Sequence, residues 1–206
     1  YRLAEAVNLP VMVVLDAFFL SHTFEPVDVP DQDLVDRFLP PFSPRIELNT
    51  SDPFALGQMA PPTVYMEMRH DIQKAMEQVP EIFSKVEQEF AAIFGRSYGP
   101  VERVHCDDAQ VIMVVTGTAA STCRKVISDL RSQGEKVGML KFGASGIFAQ
   151  EIRAALCNRN GHPPVFGYIT GLGGRDVTPE ILAEIYWKTK NSALPESESV
   201  WVGLNE

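Results

Sequence analysis

Val111-Ile-Met-Val-Val115, followed at once by Thr116-Gly-Thr-Ala-Ala-Ser121, is the stretch that decides the fold. The apolar, mostly β-branched run predicts a buried strand, and the small residues after it predict a turn into a helix. Strand and helix then alternate twice more, which predicts an α/β domain with a mainly parallel sheet and right-handed crossovers. The expected strands are Val111–Val115, Lys136–Phe142 and Pro164–Thr170, and the expected helices are Ser121–Gln133, Ile147–Leu156 and Pro179–Lys188.

Upstream, the pattern predicts the end of a helix, a strand and a long helix. Tyr1–Asn8 closes a helix, and Leu9-Pro-Val-Met-Val-Val-Leu15 suits a strand buried on both faces. A lone helix and strand cannot bury both faces, so the rest of that sheet must lie upstream or in a partner. Val64–Phe94 has helical periodicity up to a stop at Gly95, and Pro80 predicts a kink or two abutting helices.

Asp16–Pro62 is rich in Pro, Asp, Phe and Ser, and we expect it to be irregular and extended because proline removes hydrogen-bond donors. Its aromatic residues are too many for a free linker, so we expect an ordered arm lying across a surface. These aromatic residues are Phe18, Phe19, Phe24, Phe38, Phe42 and Phe54.

The net charge of −9 argues against nucleic-acid binding, which needs a basic footprint. Three widely separated cysteines argue against a disulfide framework or a zinc or iron–sulfur site, and they fit a reducing cytoplasm. No apolar stretch is long enough to predict a membrane span, and no signal peptide is visible. The chain opens at Tyr1 without a methionine, so we expect its start to lie within a longer protein.

Two strand-to-helix turns are the candidate sites, because helix N-termini at the carboxyl ends of parallel strands present amides to anions. In the first, Gly117 and Thr118 are candidate cofactor-binding residues; a turn merely capped by Thr118 or Ser121 is the more common outcome. In the second, Gly173 and Arg175 are candidates. Its glycines fit neither a dinucleotide fingerprint nor a Walker loop, and a structural turn and an anion or partner contact are equally compatible with it.

Thr178 before Pro179 predicts an N-cap, with Glu180 in the first helical turn, and Arg175 has Asp176 beside it as a possible local ion-pair partner. His22 follows the predicted strand, but a structural histidine is commoner there than a catalytic one. The remaining histidines have no metal-ligand spacing, and Asp107-Asp108 predicts a solvated turn. No residue is assigned a catalytic or metal-binding role.

Several strings in order carry a family resemblance: Leu9-Pro-Val-Met-Val-Val-Leu-Asp16, Ser21-His-Thr-Phe-Glu-Pro26, Val29-Pro-Asp-Gln32 with Phe38-Leu-Pro-Pro-Phe42, Phe94-Gly-Arg-Ser-Tyr-Gly99, Gly134-Glu-Lys-Val-Gly138 and Gly171-Leu-Gly-Gly-Arg-Asp-Val-Thr-Pro179. Together they resemble the α chain of pyruvate:ferredoxin oxidoreductase, within the 2-oxoacid:acceptor oxidoreductases. The resemblance covers nearly the whole chain.

The resemblance implies a remnant of a thiamine-diphosphate pyrimidine-type domain at 1–24, a linker arm and long kinked helix at 25–106, and a transketolase C-terminal-like α/β domain at 107–206. It implies oxidative decarboxylation of a 2-oxoacid to an acyl-CoA with ferredoxin as acceptor. Thiamine diphosphate and Mg²⁺ would lie between the α chain and a β chain, and iron–sulfur clusters would belong to partner chains. None of these cofactors is expected on this chain alone.

The sequence departs from the family pattern in two places. Most of the family's N-terminal portion, with the acidic residue that activates the cofactor, has no counterpart here. After Phe142 the family continues with another helix-strand unit, whereas Gly143-Ala-Ser-Gly-Ile147 follows directly. We therefore expect the chain by itself to be inactive.

Three alternatives stay open. The chain can be a non-catalytic assembly module, with its proline-rich arm as a strap between subunits. It can be a flavodoxin-like domain that binds CoA or a small anion through its two turns. It can also belong to a relative specific for 2-oxoglutarate, a branched-chain 2-oxoacid or oxalate.

Overall fold

A computed structural model of the chain describes residues 1–18, 20–44, 46–142, 148–157, 159–196 and 198–205. The chain forms two compact units. Unit 1 comprises Tyr1–Val13 and Glu25–Pro100, and unit 2 comprises Val14–Phe24 and Val101–Glu206.

Unit 1 is built on one long helix. Its helices are α1 (Arg2–Val7), α2 (Gln32–Phe38) and α3 (Pro62–Phe94). α1 packs on α3, where Arg2 pairs with Glu89 at 3.2 Å. α2 packs on α3 through Phe38, whose ring lies 5.4 Å from that of Phe90. Only the C-terminal half of α3 is covered in this way.

The expectation of a helix that stops at Gly95 is confirmed, since Gly95 adopts a left-handed φ of 68° and its N–H bonds back to Ala91. The alternative of two abutting helices is wrong, because α3 continues through Pro80. Because Pro80 has no backbone N–H, the helical hydrogen bond to the Met76 carbonyl is missing. Both residues are exposed, so water can take the place of that donor.

The first predicted strand is wrong as well. Val11–Leu15 adopts no strand among the described residues, and its apolar side chains are exposed, with Met12 at 86%. A β-strand needs a neighbouring backbone to satisfy its N–H and C=O groups, and the described part of the chain supplies none here.

The arm is irregular as predicted, apart from α2, which the sequence analysis missed. The expectation that its aromatic residues lie across a surface is wrong for most of those described. Phe18, Phe24, Phe42 and Phe54 are exposed, whereas Phe38 packs against α3. Phe19 lies outside the described residues. Among the described residues, most aromatic side chains of the arm are therefore not covered by other parts of the chain.

Unit 2 is the α/β domain. Its elements are β1 (Glu102–Val104), β2 (Val111–Thr116), α4 (Ala119–Ser132), β3 (Val137–Phe142), α5 (Phe148–Leu156), β4 (Tyr168–Ile169), α6 (Pro179–Asn191) and β5 (Val200–Trp201). β2 and β3 are parallel, in register from Val111 opposite Val137 to Thr116 opposite Phe142. The predicted strand-helix-strand crossover is therefore confirmed for these two strands.

The expected single sheet of three parallel strands is wrong. β1 adds to β3 in the antiparallel sense, giving a mixed sheet in the order β1-β3-β2. The third predicted strand shortens to β4, which pairs with β5 in a separate parallel sheet. Pro163 and Pro164 lack N–H donors, which explains why the strand does not extend to the start of the predicted run. β1 and β5 are too short for their alternation to be read from sequence.

The core of unit 2 lies between α4, α6 and the β2–β3 pair. Cys123, Val126, Ile127 and Leu130 of α4 are buried, as the predicted amphipathic helix requires, together with Val137 and Met139 of β3 and Leu182 and Tyr186 of α6. Polar contacts close the edges of this core. Arg124 of α4 binds both carboxylate oxygens of Glu102 in β1, at 2.6 and 2.7 Å.

Glu135 joins the α4–β3 turn to α6. Its carboxylate accepts hydrogen bonds from Lys190 and from the hydroxyl of buried Tyr186. Lys190 first, and Tyr186 second, hold the pKa of Glu135 below its usual range. Burial and the neighbouring carboxylate in turn raise the pKa of Tyr186.

We predict that Ile127→Ala lowers the free energy of unfolding by about 2–5 kcal/mol, because it removes a side chain that is 1% exposed from a packed core. Ile112→Ala is the matched control on β2, where the side chain is 44% exposed, and it should cost less than about 1 kcal/mol. Urea unfolding of the two variants checks this. Equal losses would contradict the assignment of the core.

A second prediction concerns pH. Because the folded-state pKa of Glu135 is lowered, its contribution to stability is present above the unfolded value of 4.5 and is lost as pH falls through the folded value. Glu135→Gln should lower the urea midpoint at pH 7, and the difference from wild type should shrink below pH ~4. Glu151→Gln, at an exposed position on α5, is the control and should behave as wild type at both pH values.

Candidate functional site

The β2–α4 turn holds an internal carboxylate. β2 ends at Thr116 and α4 begins at Ala119, with Gly117 at a left-handed φ of 58° between them. The Thr118 backbone N–H donates to Asp16 Oδ2 at 2.5 Å, across 102 residues of sequence. A Cβ on Gly117 would lie 2.4 Å from the same oxygen and would displace the Asp16 carboxylate, and the left-handed backbone at this position also favours glycine.

The electrostatics of this turn favour an anion. Hydrogen bonding from Thr118, chiefly from its backbone N–H, holds the pKa of Asp16 below its usual range. Partial burial opposes this effect, and the positive charge of Lys141 supports it. The N-terminus of α4 adds the positive end of the helix dipole. Asp16 is therefore ionised at neutral pH, and its carboxylate binds at the turn that the sequence offers as a candidate site for an external anion.

The expectation that Thr118 or Ser121 caps α4 through its side chain is wrong for Thr118, the N-cap residue, which makes no side-chain cap bond. Asp16 supplies the acceptor instead. This partner was not predicted from the sequence, because Asp16 and Thr118 are 102 residues apart. The available signal was an acidic residue that ends an apolar run, together with an unexplained glycine in the turn.

The β4–α6 turn is a glycine-rich loop with a cap. Gly171, Gly173 and Gly174 have φ of 73°, 71° and 84°, conformations that other residues rarely adopt. The guanidinium of Arg175 donates to the backbone carbonyl of Gly203, and no ion pair to Asp176 is found among the described residues. The predicted local ion pair between Arg175 and Asp176 is therefore wrong. Arg175 instead connects the loop, through its hydrogen bond, to the segment after β5.

The predicted start of α6 is confirmed. Thr178 Oγ1 accepts a hydrogen bond from the Ile181 N–H at 3.4 Å, Pro179 is the first helical residue and Glu180 lies in the first turn. Hydrogen bonding at this helix start, from the backbone first and from Thr178 second, holds the pKa of Glu180 below its usual range.

His22 lies in a small turn of its own. Its ring stacks on Phe18 with centroids 5.0 Å apart, and its Nδ1 lies 2.8 Å from Ser21 Oγ. Both side chains of the Ser21–His22 pair are exposed, and no carboxylate hydrogen-bonded to the His22 ring is found within the described residues. This arrangement orders the turn and does not form a relay of hydrogen bonds.

Other polar groups remain apart. Asp107 and Asp108 lie on an exposed turn, as predicted. Asp107 pairs there with Arg103, and Asp108 pairs with Arg131. No group of three or more His, Cys, Asp or Glu is placed to hold a metal ion in the described ranges. Burial raises the pKa of Cys123 to about 12, which leaves this thiol protonated. A groove of about 320 Å³ beside β4 and β5 is lined by none of the candidate residues.

None of the helices in the described ranges is long and apolar enough to cross a membrane.

Comparison with protein families gives a match over residues 1–88 to the thiamine-diphosphate-binding domain of pyruvate flavodoxin/ferredoxin oxidoreductases. The pyruvate synthase subunit PorA of Methanothermobacter thermautotrophicus is 40% identical and aligns with 100% of this chain. The ketoisovalerate oxidoreductase subunit VorA of Pyrococcus furiosus is 36% identical over 99% of the chain, and the PorA subunit of Thermotoga maritima is 33% identical over 100%.

The chain spans about three fifths of the length of these relatives, with 60% of the Methanothermobacter subunit covered. That alignment runs over 238 positions against 206 residues here, so the relative has residues within the aligned stretch that this chain lacks. The expected place of such a loss, between Phe142 and Gly143, borders residues 143–147, which lie outside the described residues.

We predict that Thr178→Ala lowers the free energy of unfolding by roughly 0.5–1 kcal/mol, because α6 loses its side-chain cap. Thr50→Ala, at an exposed position in the arm, is the matched control and should be neutral. Thermal unfolding followed by circular dichroism measures both. A neutral Thr178→Ala would show that the long hydrogen bond contributes nothing.

Proposed function

The chain belongs to the family of pyruvate:ferredoxin oxidoreductase α subunits, and from this membership we propose that the protein containing it acts in a 2-oxoacid:ferredoxin oxidoreductase. The proposed reaction is oxidative decarboxylation of a 2-oxoacid, most simply pyruvate, to an acyl-CoA, with ferredoxin as electron acceptor. One observation carries the proposal. The similarity to pyruvate synthase subunits extends over the full length of the chain and is not confined to one domain.

The proposed organisation follows the family. Residues 1–24 would be a remnant of the thiamine-diphosphate pyrimidine-type domain, 25–106 a linker arm with the long helix, and 107–206 a transketolase C-terminal-like domain. The parallel pair β2–β3 with its α4 crossover supports the last assignment. The candidate contacts Gly117, Thr118, Gly173 and Arg175 stay proposals. Thr118 could receive an external anionic group only after Asp16 leaves its amide.

Thiamine diphosphate and Mg²⁺ are proposed for the complete enzyme, but the described residues of 1–88 do not fit this group. A diphosphate with Mg²⁺ needs convergent oxygen ligands and donors in a cleft. Here Val11–Leu15 and most of the arm are exposed, and no cluster of acidic or histidine side chains is placed to hold a metal among the described residues. We therefore propose that the isolated chain is inactive.

The proposed partners are a β chain and other subunits of the oxidoreductase, with CoA and the 2-oxoacid as substrates of the complex and iron–sulfur clusters on the partner chains. The relatives are named as subunits, which supports an assembly. The charge of −9 and the three unpaired cysteines are consistent with a cytoplasmic protein that binds neither nucleic acid nor membrane.

A second candidate substrate is a branched-chain 2-oxoacid. The ketoisovalerate oxidoreductase subunits are 34–36% identical to this chain, which is at least as high as the 34% and 33% of the pyruvate synthase subunits of Pyrococcus furiosus and Thermotoga maritima. A non-catalytic assembly role is the alternative from a different class, and the exposed apolar side chains of the arm favour it.

The test is an activity assay of the complete protein co-expressed with the partner subunits of its own complex. Reduction of ferredoxin should require pyruvate, CoA and thiamine diphosphate together, and 3-methyl-2-oxobutanoate measured in parallel distinguishes the branched-chain specificity. The 206-residue chain without its partners is the control and should give no reduction. Failure of every 2-oxoacid in an intact, cofactor-loaded complex would overturn the proposed activity.

A further inference from the structure

We propose that Val14–Phe24 is a strap that one carboxylate–amide contact, Asp16 to Thr118, latches to the α/β domain of unit 2. The chain leaves unit 1 at Val13, contributes this segment to unit 2 and returns to unit 1 at Glu25. The latch is a conformational device of the chain itself. It goes beyond the proposed function and does not depend on which reaction the complete protein performs.

The geometry of the contact supports a specific latch. Asp16 is partly buried, and its Oδ2 accepts from the Thr118 N–H at 2.5 Å at the open end of a 14-residue helix. A hydrogen bond to an ionised group is worth more than a neutral one, and the helix end adds to it. Lys141 is the charged side chain that acts on Asp16 from the neighbouring strand β3.

The large apolar side chains of the strap are mostly exposed and bury little surface. Leu15, Phe18 and Leu20 are 70%, 74% and 54% exposed, and Phe24 is fully exposed. The hydrogen bonds and the ring stacking at Phe18, Ser21 and His22 join these three residues to one another, and among the described residues they reach no side chain outside the strap. Within the described residues, Asp16 makes the hydrogen bond that joins the strap to the sheet-helix framework. Loss of that carboxylate should therefore free the strap without unfolding the domain.

The β2–α4 turn leaves room for the Asp16 carboxylate. Gly117 leaves the space in which Asp16 sits, since a Cβ there would lie 2.4 and 2.9 Å from its two carboxylate oxygens. A small, uncharged change at position 117 should therefore act like a change at position 16. Two positions far apart in sequence then test one contact.

Hydrogen–deuterium exchange of the 206-residue chain tests the latch. In Asp16→Ala, peptides covering 14–24 should exchange roughly three- to tenfold faster than in wild type, allowing for partial exposure of the bond. The α6 peptide 179–191, which reports on unit 2 as a whole, should be unchanged. Asp28→Ala, at an exposed position in the arm, is the matched control and should leave the strap at its wild-type rate.

A nuclear magnetic resonance titration gives a second readout that does not require a destabilising change. The amide shift of Thr118 should follow the ionisation of Asp16 below pH 3.8 in wild type and should lose that titration in Asp16→Asn. Gly117→Ala should speed exchange of the strap as Asp16→Ala does, provided that α6 stays protected.

Three results would overturn the latch. One is wild-type exchange of the strap in Asp16→Ala, and another is the same acceleration in Asp28→Ala. The third is an equal acceleration in α6, which would make Asp16 a general stabiliser of unit 2. Failure of the oxidoreductase assay would leave all of these measurements unaffected, so the two proposals fail separately.

Discussion

The packing of α4 on the parallel pair β2–β3 is the interaction on which the described structure of unit 2 depends. Ile127 and Cys123 of the helix and Val137 and Met139 of the strand are buried in one cluster, to which α6 adds Leu182 and Tyr186. This packing fixes where β2 ends. It thereby fixes the position and direction of the helix terminus that binds Asp16, and it provides the surface on which α6 buries Tyr186.

The sequence predicted the helices that carry local signals, and it failed where a fold depends on distant partners. α3, α4 and α6 were recoverable because their apolar periodicity and their stop or cap residues are local signals, as at Gly95 and Thr178. Val11–Leu15 is rich in β-branched residues, like the run Val111–Val115, but it lacks a neighbouring backbone in the described chain. Strand formation is a property of two segments, which composition alone cannot supply.

The candidate site shows the same limit. The sequence located the turn at Gly117 and Thr118, because small residues after a buried strand are a local feature. It could not identify the occupant, since Asp16 is 102 residues away and its role arises only from folding. Arg175 was recognised as a polar residue in a glycine loop, yet its partner is a backbone carbonyl, which no side-chain pattern records.

The discontinuity of unit 2 has a consequence for how the domain can be inherited or produced. Because Val14–Phe24 belongs to it while Glu25–Pro100 does not, no single cut in the polypeptide separates the two units. A gene rearrangement or an expression boundary placed at Val101 would transfer the sheet and its helices but leave the Thr118 amide without its carboxylate. The segment 101–206 is therefore unit 2 without its strap, and exchange between relatives should preserve residues 14–24 together with it.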